Sequence, residues 1–402
     1  MKKLMILGGS HYIIPVIKKA QELGIYVITC DYLENNIAHK YSNEYINVSI
    51  VEKEKVLEEA KAHSIDGIIS FACDPGVTTA AYVAEKLNLP KSGPYESVCI
   101  LQNKGLFRNF LKDNGFNVPN AKSYHDVKEA LKDIDYFNFP VIVKPTDSAG
   151  SKGVTKVLNP KDLEKSIKYA LSYSLSKEFI IEDFLEKEGD SSDSDSFLLD
   201  GELKYVSFSS QKFDKNAKNS YVPAAYSWPA SLSCDEQENL KSEIGRLLSL
   251  LKMETTLLNI ETRKCTNGKC YIMECSPRGG GNRLSEMMEL IDGVNLIENT
   301  ILGAIGLPLK DFKVNKSNYY WCEVILHGSE KGIFDKLEID NIIKNNVYEE
   351  DLWIKKGDMI DDFTGANASV GTLILRFEKK ENMDKILNNI DKYIKVRVIK
   401  ND

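Results

Sequence analysis

The stretch LLNIETRKCTNGKCYIMECSPRGGGNR, residues 257–283, carries two strand-like runs on either side of Asn267-Gly268. An Asn-Gly pair between such runs is a strong hairpin signal, because both residues tolerate the positive φ of a type I′ turn. A two-residue turn there sets Cys265 against Cys270, Arg263 against Ile272, Glu261 against Glu274 and Asn259 against Ser276. Side chains alternate along a strand, so Asn259, Glu261, Glu274 and Ser276 then share one face. Two carboxylates directly opposite repel each other. One is protonated, or a cation sits between them. An oxygen-rich carboxylate pair suits Mg²⁺, which binds one or two carboxylates together with substrate phosphates. A longer turn would change the register and set the glutamates on opposite faces.

The rest of the 402-residue chain bounds the reading. With 52 Lys and Arg against 59 Asp and Glu, the net charge is −7, so no global attraction for nucleic acid or anionic lipid is expected. No apolar run reaches the ~18 residues of a membrane helix, and MKKLMILGG is too short a run for a signal peptide and reads as a first strand. Eight cysteines in a chain of this length do not form a disulfide framework, and Cys265, Cys270 and Cys275 lack paired knuckle spacing. A cytoplasmic protein with free thiols is expected.

Strands and helices alternate over the first hundred residues. KKLMILG, IYVITCD and GIISFACD read as strands, and HYIIPVIKKAQELG, VEKEKVLEEAKAH and PGVTTAAYVAEKLNL as helices. That order predicts a doubly wound parallel sheet. Its strand-end loops, with Gly8, Gly9, Ser10, His11 and Asp74, form a candidate substrate edge. Asp31 follows the second strand, but the G-x-G-x-x-G of a dinucleotide fold is missing. Further on, ILQNKGLFRNFLKDNGFNVP reads as one helix and a turn. FPVIVKPTDSAGSKGV reads as a strand and a loop of small residues whose backbone N–H groups can approach phosphate oxygens, with Lys144 just before it. The Ser/Asp run at 190–196 reads as an acidic, solvated loop before a hairpin at Asp200-Gly201. A last α+β lobe carries the strands YYWCEVILHG and GTLILRFE.

In order along the chain, QNK at Lys104, PVIVKP at Lys144, the loop TDSAGSKG, IIEDFLEKEGD, NIE at Glu261 and MECSPR at Glu274 and Arg278 resemble the ATP-grasp superfamily. The resemblance covers residues 1 to roughly 310 and implies a multidomain α/β and α+β protein. Residues 1–100 are expected to be the Rossmann-like pre-grasp domain, 101–310 the ATP-grasp domain with a lid near 120–190, and 311–402 a carboxyl-terminal lobe. It also implies ATP with two Mg²⁺ or Mn²⁺ ions. Lys104, Lys144 and the loop at Ser148, Gly150, Ser151 and Gly153 would hold phosphates. Glu182, Asp183, Phe184 and Leu185 would bind adenine, Asp190 or Glu188 the ribose, and Glu261 and Glu274 the metals. The family usually has asparagine where Ser276 stands, and Asn259, across the hairpin, is the candidate replacement. Arg278 and Arg283 flank a Gly-Gly-Gly run and can fork onto a carboxylate or acyl phosphate.

The implied reaction phosphorylates a small carboxylate and passes the acyl group to an amine, with ADP and phosphate released. The same motifs resemble amino-acid ligases, phosphoribosylglycinamide and carboxyaminoimidazole-ribonucleotide synthetases, and carbamoyl-phosphate-synthetase-like chains. A carboxylate–amine ligase is the first expectation, a purine-pathway ligase the second, and an ATP-binding kinase or regulatory module the third. Partners are expected to be small molecules, without nucleic acid or membrane, and a homodimer is an open expectation.

Overall fold

A computed structural model describes residues 1–148 and 150–399. Ala149, within the small-residue loop, lies outside the described residues. By contact the chain divides into two compact units, one of Met1–Ser123, Asp193–Ser207 and Ser233–Asn315, the other of Tyr124–Ser192, Phe208–Leu232 and the chain from Lys316 onward.

The first unit opens with a parallel sheet of four strands in the order Glu44–Ile46, Tyr26–Cys30, Lys3–Leu7, Gly67–Ser70. Its central strand is apolar on both faces, with Leu4, Met5, Ile6 and Leu7 fully buried, as a sheet covered by helices requires. Helices Ile14–Glu22 and Lys53–His63 connect strands of the sheet, and helix Val77–Leu87 follows its last strand, as expected. The segment read as one helix after residue 100 is two, Tyr95–Gln102 and Lys104–Asp113. Asn103 between them is extended (φ −105°, ψ 116°), and its side chain accepts from the Leu106 N–H, which caps the second helix. Lys104 therefore stands at a helix's first position.

The unit's second sheet is antiparallel, in the order Glu202–Tyr205, Ser192–Leu199, Thr256–Lys264, Cys270–Ser276. Asp200 and Gly201 both have positive φ and form the tight turn between its first two strands, as expected. The Ser/Asp run, in contrast, is no solvated loop. From Ser192 it is a strand, and Ser192, Ser194, Asp195 and Ser196 are buried. Helix Leu284–Asp292 follows the Gly-Gly-Gly run, with Arg283 at its N-cap in the left-handed region.

The second unit holds an antiparallel arrangement of Phe179–Asp183, Val141–Pro145 and Thr155–Val157. Helix Leu163–Tyr173 packs on it through Leu163, Ile167 and Ala170, all fully buried. A five-stranded sheet runs Ser210–Phe213, Pro223–Trp228, Tyr320–Leu326, Gly371–Phe377, Val347–Leu352, and a smaller one pairs Gly332–Ile339 with Ile394–Ile399 and Met359–Ile360.

Candidate active site

The hairpin pairs Asn259 with Ser276 and Glu261 with Glu274, as read from the sequence. The route to that register differs. Cys265 N–H donates to Lys269 O and Gly268 N–H to Cys265 O, at 3.0 and 2.9 Å. Gly268 lies at φ +76°, so the loop is a three-residue turn closed by a left-handed glycine, not a type I′ pair. Arg263 consequently faces Tyr271 instead of Ile272, and Lys264 instead of Cys265 faces Cys270. Between Glu261 and Thr262 the register shifts, because Met273 is an extra residue without a partner. This β-bulge moves the ladder back by one and restores the two outer pairs. Ile260 and Cys275 are buried on the opposite face, which leaves Glu261 and Glu274 together on the more open one.

Each glutamate has a cation beside it. Arg263 Nη2 lies 3.4 Å from Glu261 and Lys104 Nζ lies 3.5 Å from Glu274, both longer than good charge-assisted hydrogen bonds. The Glu274 side chain is 50% exposed. Two carboxylates on one open face, with Arg263 and Lys104 beside them, fit a hard cation that shares its shell with phosphates. Among the described residues, no group of three or more His, Cys, Asp and Glu side chains is placed to hold a metal by itself. The cysteines are free, and burial pushes the Cys275 thiol up to about 12.

Ser276 and Asn259 are engaged with protein groups. Ser276 Oγ accepts from Gln102 Nε2 at 2.8 Å and donates to Asp74 Oδ1 at 3.0 Å. Asn259 Oδ1 accepts from Arg278 Nη1 at 3.1 Å, and its Nδ2 donates to Asp193 at 2.7 Å and to Asp195 at 3.3 Å. Arg278 also forks onto Asp74 through Nε and Nη2, at 2.9 and 2.8 Å, and donates to Gly279 O. Burial opposes the guanidinium's charge, but Asp74, together with Asp193 and Asp195, favours it and the pKa rises. Asp74 lies just beyond strand Gly67–Ser70, on the edge singled out from the sequence. Arg283 donates to Glu286 on its own helix at 2.9 Å, and Tyr12 donates to the neighbouring Asn282.

Asp195 was invisible in the sequence, hidden in the Ser/Asp run. It is fully buried and accepts from Gly280 N–H, Asn259 Nδ2 and Ser285 Oγ. Burial raises its pKa to about 6, although those donors and Arg278 pull it down. The one available signal was the spacing of Asp193 and Asp195, which places both on one strand face.

In the second unit, Lys144 and Glu182 stand diagonally across neighbouring strands, since Lys144 pairs with Ile180 and Ile142 with Glu182. Their charges meet at 3.0 Å with side chains 8% and 2% exposed. Asp183 accepts from the Asn138 backbone and side chain, and Lys156 lies 3.5 Å over the Phe184 ring. Asp190 pairs with Lys212 at 2.7 Å. In the small-residue loop, Gly150, Ser151 and Gly153 all have positive φ. Ser151 donates to Tyr221 O and accepts from Asn219 Nδ2.

Residues 137–286 match the family model of the ATP-grasp domain. The carbamoyl phosphate synthase large chain of Pseudothermotoga lettingae is 28% identical over 265 residues, 63% of this chain and 24% of that one. The formate-dependent phosphoribosylglycinamide formyltransferase of Bacteroides thetaiotaomicron is 28% identical over 192 residues, 46% of this chain and 48% of that one. The chain thus spans between a quarter and a half of the length of these curated relatives. An L-amino acid ligase from Bacillus licheniformis shares the fold over 100% of this chain and 99% of its own, at a TM-score of 0.82 and 19% identity. Among the described residues, no helix is long and apolar enough to cross a membrane.

Proposed function

We propose that this chain is an ATP- and Mg²⁺-dependent, ADP-forming carboxylate–amine ligase. The observation that carries the reading is Glu261 directly opposite Glu274 on an open hairpin face, with Lys104 beside one of them. Mg²⁺ bound there would neutralise phosphate charge as the γ-phosphoryl group moves. Glu261 and Glu274 would hold it, with Ser276 and Asn259 at its margin. Because both of the latter already bond to protein groups, their part is to orient Arg278 and Asp74 more than to supply ligand oxygens. Lys104, at a helix start, would face the phosphates.

In the second unit, Lys144 and the loop at Ser148, Gly150, Ser151 and Gly153 would hold phosphates. Glu182 is committed to Lys144, so adenine recognition would fall to the main chain of Asp183, Phe184 and Leu185. Ribose would fall to Glu188 or Asp190. A carboxylate oxygen of the substrate attacks the γ-phosphorus and ADP departs. The amine nitrogen then attacks the acyl carbon, phosphate leaves with the C–O electron pair, and the nitrogen gives up its proton. Arg278 and Arg283 would meet the acid and its acyl phosphate.

A matrix of small acids and amines with Mg-ATP, read by mass spectrometry, tests this. ADP with a new amide supports the reading, and AMP contradicts it. ATP turnover that never requires an amine would instead indicate a kinase or regulatory module. The similarity to the phosphoribosylglycinamide formyltransferase supports a purine-pathway ligase as the second reading, in which the accepted amine would be a phosphoribosyl amine.

A further inference from the structure

We propose that Asp195 is a positioning residue, which holds the Gly279–Arg283 turn and the Asn259 amide so that Arg278 is presented to the acid substrate. The inference rests on the proposed ligase reading only in naming what Arg278 meets.

One carboxylate here ties three segments together. From strand Ser192–Leu199, Asp195 Oδ1 accepts from Gly280 N–H at 2.9 Å and from Asn259 Nδ2 at 3.3 Å, while Oδ2 accepts from Ser285 Oγ at the start of helix Leu284–Asp292. Asn259 passes the constraint on, since its Oδ1 accepts from Arg278 Nη1. The other side of the guanidinium is fixed by Asp74. Gly280 is what lets the carboxylate come this close. A Cβ on it would lie 2.9 Å from Asp195 Oδ1, 2.8 Å from Asn259 Nδ2 and 2.7 Å from Leu284 Cδ1. Gly279 is confined in the same way, with a Cβ falling 2.3 Å from the Phe71 ring. The glycine run therefore serves close approach to Phe71 and Asp195 as well as room for a substrate.

A carboxylate is a costly choice for a fully buried position. What it offers is acceptors only, and the three donors that converge here need an acceptor on each. Arg278 does not touch Asp195, so the carboxylate acts on it through Asn259 and through the turn. Removing the carboxylate leaves Gly280 N–H without that acceptor, leaves Asn259 Nδ2 on Asp193 alone at 2.7 Å, and frees the turn that carries Gly279, the Arg278 Nη1 acceptor.

The test compares Asp195→Ala with Asp195→Asn, each alone and with Arg278→Ala. Asparagine keeps one oxygen for Gly280 and Asn259, and the Ser285 hydroxyl can turn to accept from its amide. Asp195→Asn is expected to stay within about fivefold of the wild-type kcat/KM for the acid. Asp195→Ala is expected to lower that kcat/KM by about 10- to 100-fold, with KM for ATP within twofold. In the Arg278→Ala background, Asp195→Ala should cost less than a further twofold, because the residue it positions is gone. Additive losses, or equal losses toward ATP and acid, overturn the proposal. Crystal structures of both variants decide it even where no acid is turned over. The Ala variant should show the 279–283 turn displaced and the Asn259–Arg278 bond broken, and the Asn variant should show both kept. An unmoved turn in the Ala variant would overturn the claim, whereas absence of turnover in the wild-type protein would count against the ligase reading alone.

Discussion

The two lysine–glutamate pairs proposed to face the nucleotide are built differently. Lys144 and Glu182 meet at 3.0 Å with side chains 8% and 2% exposed. Lys104 and Glu274 are 3.5 Å apart, with side chains 15% and 50% exposed. The buried pair sits across two strands packed under a helix, where each charge depends on the other. The open pair is long and half wet, so it contributes little to stability and its members can exchange partners. A sheet interior favours a fixed charge, and a metal or phosphate site favours an exchangeable one. Both pairs contain a lysine that the sequence assigns to phosphate, yet only the open one can change partner at small cost.

Breaking the open pair should show the largest effect on turnover and the smallest on folding. Glu274→Gln is expected to lower kcat by at least about 100-fold, since it removes one charge of the carboxylate pair proposed to hold the metal. Its melting temperature should stay within about 2 °C of the parent, because the residue is half exposed. A folded variant with near-normal kcat would end the metal assignment. Breaking the buried pair should do the reverse. Lys144→Ala removes the cation 3.0 Å from buried Glu182, and urea denaturation should show a loss of about 3–5 kcal/mol. The double change Lys144→Met with Glu182→Leu should recover most of that stability while KM for ATP remains raised. If stability returns and KM does too, Lys144 has no part in nucleotide binding.

These pairs also show what the sequence could tell and where it stopped. The opposition of Glu261 and Glu274 follows from strand alternation around Asn267-Gly268, but the turn assumed was one residue too short. The extra residue in the loop and the extra residue Met273 cancel, so the outer register is right while the inner pairs are displaced. A bulge leaves no signature in a run such as CYIMECS, because apolar residues continue through it. The parallel sheet was legible from fully apolar strands between amphipathic helices. The break at Asn103 was missed because the apolar spacing continues across it. Asp195 was missed for the opposite reason, since a run of serines and aspartates has the composition of a loop. It is a strand because its neighbours supply the donors that a buried carboxylate needs, which no local pattern records. The Lys144–Glu182 pairing depended on strand register between segments 38 residues apart in the chain.

Smaller effects sharpen the contrast. Ser276 is 6% exposed and its hydroxyl bridges Gln102 and Asp74. Ser276→Asn puts in the residue that the family resemblance implies at this position, but the larger amide must displace Gln102. About 1–3 kcal/mol of stability should be lost to overpacking, with kcat within about tenfold. A third pair, Asp214 with His327 at 3.2 Å, lies between the other two in exposure, at 18% and 14%. The His327 hydrogen bond, ahead of other causes, holds the Asp214 carboxyl below its ordinary value. A depressed carboxylate stabilises the fold above its unfolded pKa and loses that contribution as pH falls through the folded one. Replacing His327 by Ala should therefore cost under about 1 kcal/mol near neutral pH, and that difference should shrink as pH falls below about 4. A difference that grows in acid would contradict the sign.

Glu261 and Glu274 share one face of the hairpin and are proposed together to hold the metal that serves ATP. A crystal structure with Mg²⁺ and a non-hydrolysable ATP analogue measures this directly. Carboxylate oxygens of both glutamates should lie about 2.0–2.1 Å from Mg²⁺, with Lys104 turned from Glu274 toward the phosphates. Metal and nucleotide bound without either glutamate, or with the two side chains on opposite faces of the hairpin, would contradict it.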